Sequence, residues 1–226
     1  VSEIRFLSGG GRRGSRRRTA VLALEGAVRS DLARSLVLAA SYDPHALLIA
    51  VDGGLATCRE LRRRPDLFVG DVDSAPKVPR GIPSRIYPVA KDFSDFSGAL
   101  HEARALGAEV AVAAGFLGGR LDHEWANLLE SAAHAREFAG LLAPSDRGLI
   151  VVTAGGVRAR TAKGRPVSVF ALGGGARVSL RGASFSLDRR RIAPGSLGLS
   201  NVTGTMLALD VHQGVVALVF PEGDAG

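Results

Sequence analysis

Two pairs of closely spaced aspartates carry the most chemistry in this sequence. Asp71 and Asp73 stand in Gly70-Asp71-Val72-Asp73-Ser74, and Asp92 and Asp95 stand in Lys91-Asp92-Phe93-Ser94-Asp95. At spacing two on an extended segment, both carboxylates of the first pair point to one side and Val72 to the other. Neighbouring carboxylates repel unless a cation lies between them. Hard oxygen ligands suit Mg²⁺, which commonly takes one or two carboxylates together with substrate phosphates. A polar turn with Asx capping accounts for the same two residues without a metal. The second pair also has two readings. Asp92 suits the N-cap of a helix beginning near Ser94, with Asp95 in its first turn. The same helix start favours a phosphate, which Lys91 can pair with.

Two further polar clusters have the composition of a phosphate site. Asp52-Gly53-Gly54 is one, and Gly118-Gly119-Arg120-Leu121-Asp122-His123 is the other. Gly118-Gly119 offers backbone amides, and Arg120 a planar fork of donors, for phosphate oxygens. An exposed turn explains them equally, with Asp122 as a helix N-cap; His123 is assigned no role. No GxxxxGK[ST] occurs, so a phosphate site here must be built from aspartates, a cation, Arg and glycine loops. Gly9, Gly11 and Gly14 form a formal GxGxxG, but Ser15 and three arginines follow where an apolar helix should begin. It is rejected as a dinucleotide site.

These clusters need elements to hold them. Short apolar runs recur at 20–24, 47–51, 67–69, 86–89, 109–113 and 149–152. Helical patterns lie between several of them, at Asp31–Ala40, Ser94–Leu106 and Asp122–Phe138. In the last, Trp125, Leu128, Leu129 and Ala132 share one face and are expected to pack. Strands alternating with helices predict a parallel sheet covered on both sides, a Rossmann-like α/β domain. The clusters follow its second to fifth runs, at the strand ends where such sheets bind ligands. After about residue 154 the helical period disappears. Val167–Leu172, Ala176–Leu180, Met206–Val211 and Val215–Phe220 are rich in β-formers, with Gly173-Gly174-Gly175 and His212-Gln213-Gly214 expected as turns between them. This predicts a small all-β antiparallel sandwich. The expected organisation is a flexible Gly/Arg-rich arm over 1–18, an α/β domain over 19–150 and a β-sandwich over 151–226.

Composition excludes several functions. The chain has 226 residues and a formal net charge of +7, and Arg12, Arg13, Arg16, Arg17 and Arg18 supply five of its positive charges. Without them the body is mildly basic. Aromatic residues make up only 5%, too few to interleave stacking rings with a basic face, so nucleic acid is not the expected partner. Cys58 is the sole cysteine; no disulfide forms within the chain, which suits the cytoplasm. No apolar run is long enough to span a bilayer, so no membrane partner is expected.

The clusters, in their order, resemble thiamine pyrophosphokinase. That family's pattern is matched by Asp52-Gly53-Gly54, then by Pro65-Asp66-Leu67-Phe68-Val69-Gly70-Asp71-Val72-Asp73-Ser74. Asp92-Phe93-Ser94-Asp95, Gly118-Gly119-Arg120-Leu121-Asp122-His123 and Gly198-Leu199-Ser200-Asn201 complete it. The resemblance runs from about residue 20 to 220. It implies an α/β catalytic domain followed by a β-sandwich, and transfer of the pyrophosphoryl group of ATP to the thiamine hydroxyl. It also implies a homodimer with thiamine between the catalytic domain of one subunit and the sandwich of the other. By position, Asp71, Asp73 and Asp95 resemble the Mg²⁺ and catalytic carboxylates, and Arg120 a cationic clamp. Asp52, Gly53, Lys91, Asp92, Gly119 and Asp122 resemble the nucleotide and phosphate site, and Phe185, Ser200 and Asn201 the thiamine contacts. The chain departs from the family where Glu25-Gly26 replaces an Asn-Gly, where Phe185 replaces a Trp or Tyr, and where Lys91 replaces a Gln or similar polar residue. A pyrophosphokinase of the same fold acting on another heterocyclic alcohol such as a pterin, and a non-catalytic nucleotide- or thiamine-binding module, are the alternatives.

Overall fold

The computed structural model describes residues 1–7, 17–71 and 78–222. Asp73, together with Arg12, Arg13, Arg16 and the glycines of the formal GxGxxG, lies outside the described residues. The protein is a mixed α/β fold rich in sheet, divided into two compact units. One comprises Val1–Ser15, Ala135–Leu141 and Asp146–Gly226; the other comprises Arg16–His134 and Leu142–Ser145.

In chain order the elements begin with β1 (Glu3–Phe6), β2 (Thr19–Ala23), α1 (Arg29–Ala40), β3 (Leu47–Val51), α2 (Gly54–Glu60) and β4 (Leu67–Gly70). They continue with β5 (Ser84–Ile86), α3 (Asp95–Ala105), β6 (Val110–Ala114), α4 (Leu121–His134), β7 (Gly140–Ser145) and β8 (Gly148–Thr153). The last are β9 (Gly156–Arg160), β10 (Pro166–Ala183), β11 (Leu187–Ile192) and β12 (Asn201–Pro221). No helix among the described residues is long and apolar enough to cross a membrane.

In the unit built on Arg16–His134, the strands run in the order β6-β2-β3-β4-β5. Every pair is parallel. β2 and β6 are buried at every residue, as a parallel sheet flanked by helices requires. Thr19–Ala23 and Val110–Ala114 are accordingly runs of small and β-branched residues with no polar alternation. Helix α3 covers this sheet through Phe96, Ala99, Leu100 and Ala103, all buried. Helix α4 differs from the expectation. Its spacing is amphipathic, but Trp125 is 66% and Leu129 57% exposed, with Leu121 at 80%; only Ser131 is buried. Its apolar face is not core.

The other unit is all strand in its assigned elements. β1 pairs with β9, β9 with β12, β12 with β8, and β10 with β11, each antiparallel. Along β10, Ser168 to Leu172 face Val219 to Val215 in turn, so partner numbers fall as those of β10 rise. The expected turns at Gly173-Gly174-Gly175 and His212-Gln213-Gly214 do not interrupt the strands. At the second of them β12 changes neighbour, pairing with β9 over 206–210 and with β8 over 216–221; β10 keeps β12 beside it on both sides of the first.

Two boundaries differ from the sequence reading. The arm expected over 1–18 contains a strand at Glu3–Phe6, with Ile4 and Phe6 buried. Four residues with one charged end are too few to register as a strand by pattern alone. Arg17 and Arg18 are also placed: Arg17 Nη1 donates to Glu109 Oε2 at 2.9 Å, and the Arg18 carbonyl accepts from the Glu109 amide at 2.7 Å. The division between the units falls across 134–146 rather than at 150.

Candidate active site

The site is built at the carboxyl ends of β2, β3, β4 and β6, in the first-described parallel sheet. Asp52 follows β3 in the left-handed region, φ 49°, a conformation that Asp tolerates better than most side chains. Its amide donates to the Val69 carbonyl at 2.8 Å, and its carbonyl accepts from Leu55. The chain is thereby folded back into α2. Gly54 must be glycine, because a Cβ there would overlap the Ala23 carbonyl. Gly53 lies against the Glu25 side chain. Gly26 in turn faces the glycine loop after β6: a Cβ on it would lie 3.3 Å from Gly119 N and Cα. The motifs at 52–54 and 118–120 are therefore drawn together around the Glu25-Gly26 turn.

Asp71 follows β4, and Asp95 opens α3. Between them stands Lys91, whose Nζ is 3.1 Å from Asp95 Oδ1 and 4.0 Å from Asp71 Oδ2. The three side chains are only 9% (Lys91), 14% (Asp71) and 19% (Asp95) exposed. Two carboxylates from separate elements thus converge on one cationic group. Asp95 is held by what surrounds its helix end. Ser94, not Asp92, is the N-cap, its Oγ accepting from the Ser97 amide at 3.2 Å. Ser94 Oγ also donates to Glu130 Oε2 of α4 at 2.5 Å. A second brace, Ser97 Oγ to His134 Nε2 at 2.8 Å, ties α3 to the end of α4. Asp92 is exposed and makes no N-cap.

Arg120 and Asp122 are exposed and paired with each other. Arg120 Nε and Nη2 donate to Asp122 Oδ1 and Oδ2 at 3.1 and 2.7 Å. These bonds hold the Asp122 carboxyl below its usual range and push the guanidinium further up. Glu25 adds to the latter, so it belongs to this cluster. Asp122 sits in the first turn of α4, and Glu124 accepts from the Gly118 amide, fixing the glycine loop. The fork proposed for phosphate is thus held on a neighbouring carboxylate, and an incoming anion would have to share or replace that partner.

Phe185, Ser200 and Asn201 lie together in the all-β unit. Asn201 is buried, and its side-chain amide brackets Phe185: Oδ1 accepts from the Phe185 amide at 2.9 Å, and Nδ2 donates to its carbonyl at 2.7 Å. Phe185 itself is 73% exposed, which excludes a core role for its ring. Ser200 is exposed, with φ 56°.

Glu124 and Glu130 act in the site's framework without having been singled out in the sequence, and Glu25 and Ser94 act there in roles the sequence did not assign them. Ser94 carried a signal, standing directly before the helical run. Glu130 carried none, because its partner is 36 residues away.

Among the described residues no group of three or more His, Cys, Asp or Glu is gathered tightly enough to hold a metal by itself. Asp71 and Asp95 nevertheless form a hard-oxygen pair that already accommodates a positive charge, a donor chemistry that fits Mg²⁺.

A parallel α/β sheet with acidic groups and glycine loops at its strand ends belongs to the class of open α/β folds, in which the carboxyl ends of the strands form the ligand crevice. More particularly, residues 39–138 match the family model of the thiamin pyrophosphokinase catalytic domain. The resemblance read from the motifs is borne out. No curated protein matches the chain in a sequence search. Among solved structures, a thiamine pyrophosphokinase from Bacillus subtilis is 19% identical, with TM-score 0.74 and coverage of 91% of this chain and 99% of that one. One from Geobacillus thermodenitrificans is 21% identical, with TM-score 0.72 and coverage of 92% and 99%. One from Candida albicans is 13% identical, with TM-score 0.70 and coverage of 91% and 90%. At these identities the structures show a shared fold.

Proposed function

We propose that this protein transfers the pyrophosphoryl group of ATP to the hydroxyl of thiamine, giving thiamine diphosphate and AMP. The observation that carries the proposal is the convergence of Asp71 and Asp95 on a single cationic position beside the glycine-lined strand ends. Phosphoryl-type transfer needs little covalent help from protein; positioning and charge stabilisation supply most of the catalysis. Asp71 and Asp95, with Asp73 by resemblance, would hold Mg²⁺, which supplies neutralisation of charge on the phosphate oxygens. Arg120 would add a bidentate clamp once it exchanges Asp122 for phosphate. Asp52, Gly53, Lys91, Asp92, Gly119 and Asp122 would line the nucleotide side. Phe185, presented by Asn201 and flanked by Ser200, would offer its ring to the thiamine heterocycle.

On this reading the Rossmann-like unit is catalytic, and the all-β unit is a sandwich that binds thiamine. A homodimer is part of the proposal, and the exposed apolar stripe Leu121, Trp125 and Leu129 supports a second copy as its cover. The lone, buried Cys58 supports a cytoplasmic setting.

Incubation with ATP, Mg²⁺ and thiamine, followed by mass spectrometry, should show thiamine diphosphate and AMP in equal amounts. AMP release with a pterin alcohol but not with thiamine would replace the substrate. Binding of ATP and thiamine without any product would leave a non-catalytic module.

A further inference from the structure

The ammonium of Lys91 faces two carboxylates. It is tied to Asp95 at 3.1 Å and lies 4.0 Å from Asp71, with all three groups largely withdrawn from solvent. We propose that Lys91 is a tethered counter-ion for the Asp71–Asp95 pair, and that a divalent cation binds there only by displacing it. This rests on the metal role given to these aspartates above, and adds a competitor within the chain.

Two poorly hydrated carboxylates facing one another destabilise the fold unless a cation stands between them. Lys91 supplies one charge without any metal, so the metal-free site is already organised. A divalent ion on the same oxygens would face the ammonium at short range, in surroundings where charges are only partly screened. The lysine must then swing out, which its four-carbon stem permits. Lys91 therefore lowers affinity for the free cation while preserving the site in its absence. A neutral residue at 91 would do the reverse.

The chain contains only three lysines, Lys77, Lys91 and Lys163, so amine labelling resolves each of them. Pulsed acetylation of the intact protein, read by mass spectrometry, should label Lys91 slowly without divalent cation. Saturating Mg²⁺ should speed Lys91 labelling several-fold, with exposed Lys163 unchanged as the internal control. Direct Mn²⁺ binding, followed by electron paramagnetic resonance without nucleotide, should be about tenfold tighter in Lys91→Gln. Lys91→Arg, which keeps the charge, should stay near the parent. Lys91→Gln should also have a lower Tm without metal and a larger rise in Tm with it. Mn²⁺ that binds parent and Lys91→Gln equally, with Lys91 labelling unmoved by Mg²⁺, overturns this inference and leaves the proposed reaction standing. Failure of both the parent and a folded Lys91→Gln to bind Mn²⁺ overturns this inference and the metal role of the two aspartates together. Should Lys91→Gln not fold, the labelling arm decides the matter in the unaltered protein.

Discussion

At the scale of single residues, the site separates groups that touch ligand from groups that hold them. Asp95 belongs to the first kind by the proposal. Asp95→Asn replaces a carboxylate with a poor Mg²⁺ ligand, and turnover should fall by roughly two orders of magnitude or more, the scale seen when a key charge-stabilising group is lost. AMP release measured beside an unchanged circular dichroism spectrum checks this; near-parent turnover would remove Asp95 from the metal site. Phe185 and Asn201 should separate cleanly. The Phe185 ring is exposed, so Phe185→Ala should leave Tm nearly unchanged while raising the KM for thiamine. Asn201 is buried and brackets Phe185 with two hydrogen bonds, so Asn201→Ala should cost about 1–3 kcal/mol of stability as well as substrate affinity. Denaturant unfolding beside thiamine kinetics distinguishes them: an Asn201→Ala protein as stable as the parent would mean that the bracket is idle.

At the scale of elements, the legible and the illegible parts of the sequence differ for a physical reason. β3 and β6 were readable because a strand buried on both faces must be continuously apolar, and Leu47–Val51 and Val110–Ala114 are. The motifs at 52–54, 70–71 and 118–122 were readable because each follows a predicted strand, at the end where such sheets bind ligands, and because they occur in the order of a known family pattern. α2 was not readable: its seven residues carry only Leu55 and Cys58 as large buried apolar positions, too few for a period to show. The pairing of Lys91 with Asp71 was equally hidden, since residues twenty apart meet only once β4 and α3 are placed. For α3 the start was read correctly and its cap assigned to Asp92, two residues early, because Asp and Ser both cap well. Ser94 does this work and also bonds Glu130. Ser94→Ala should therefore cost about 1 kcal/mol as a lost cap, with further loss from the stranded Glu130. Thermal unfolding checks the first part. Glu130→Ala should reproduce part of the loss with the cap intact; identical Tm values for the parent and both variants would show that α3 is held by its apolar face alone.

At the scale of the whole molecule, two features have measurable consequences. The α4 stripe is the proposed seat of a second copy, so Leu129→Asp should shift the mass measured by light scattering from dimer toward monomer. A monomeric parent would remove the dimer from the proposal. Cys58, the only thiol, is fully buried, and burial pushes it up from 9.0 to about 11. Thiol reagents should therefore reach it only when the fold opens, making labelling a reporter of unfolding. Its linkage has a definite sign. Below the unfolded value, both states keep the proton and the contribution is fully present. Between about 9 and 11 only the unfolded state ionises, so this contribution is lost as pH rises through that window. Denaturant midpoints at pH 8 and pH 10.5, compared between the parent and Cys58→Ala, should fall more steeply in the parent.

β1 hydrogen-bonds to β9, with Glu3 opposite Arg160 and Phe6 opposite Val157. In a chain made from its amino end, β1 leaves the ribosome long before β9 exists. At about 5–20 residues per second, that interval is on the order of ten to thirty seconds. The parallel sheet through β6 and the helix α4 have their full sequence well before it ends and can settle meanwhile. Ile4 and Phe6, both buried in the finished molecule, spend that time uncovered. A strand translated early thus waits for a partner translated late, and it gives the nascent polypeptide a sticky segment for holdase chaperones to shield until β9 emerges.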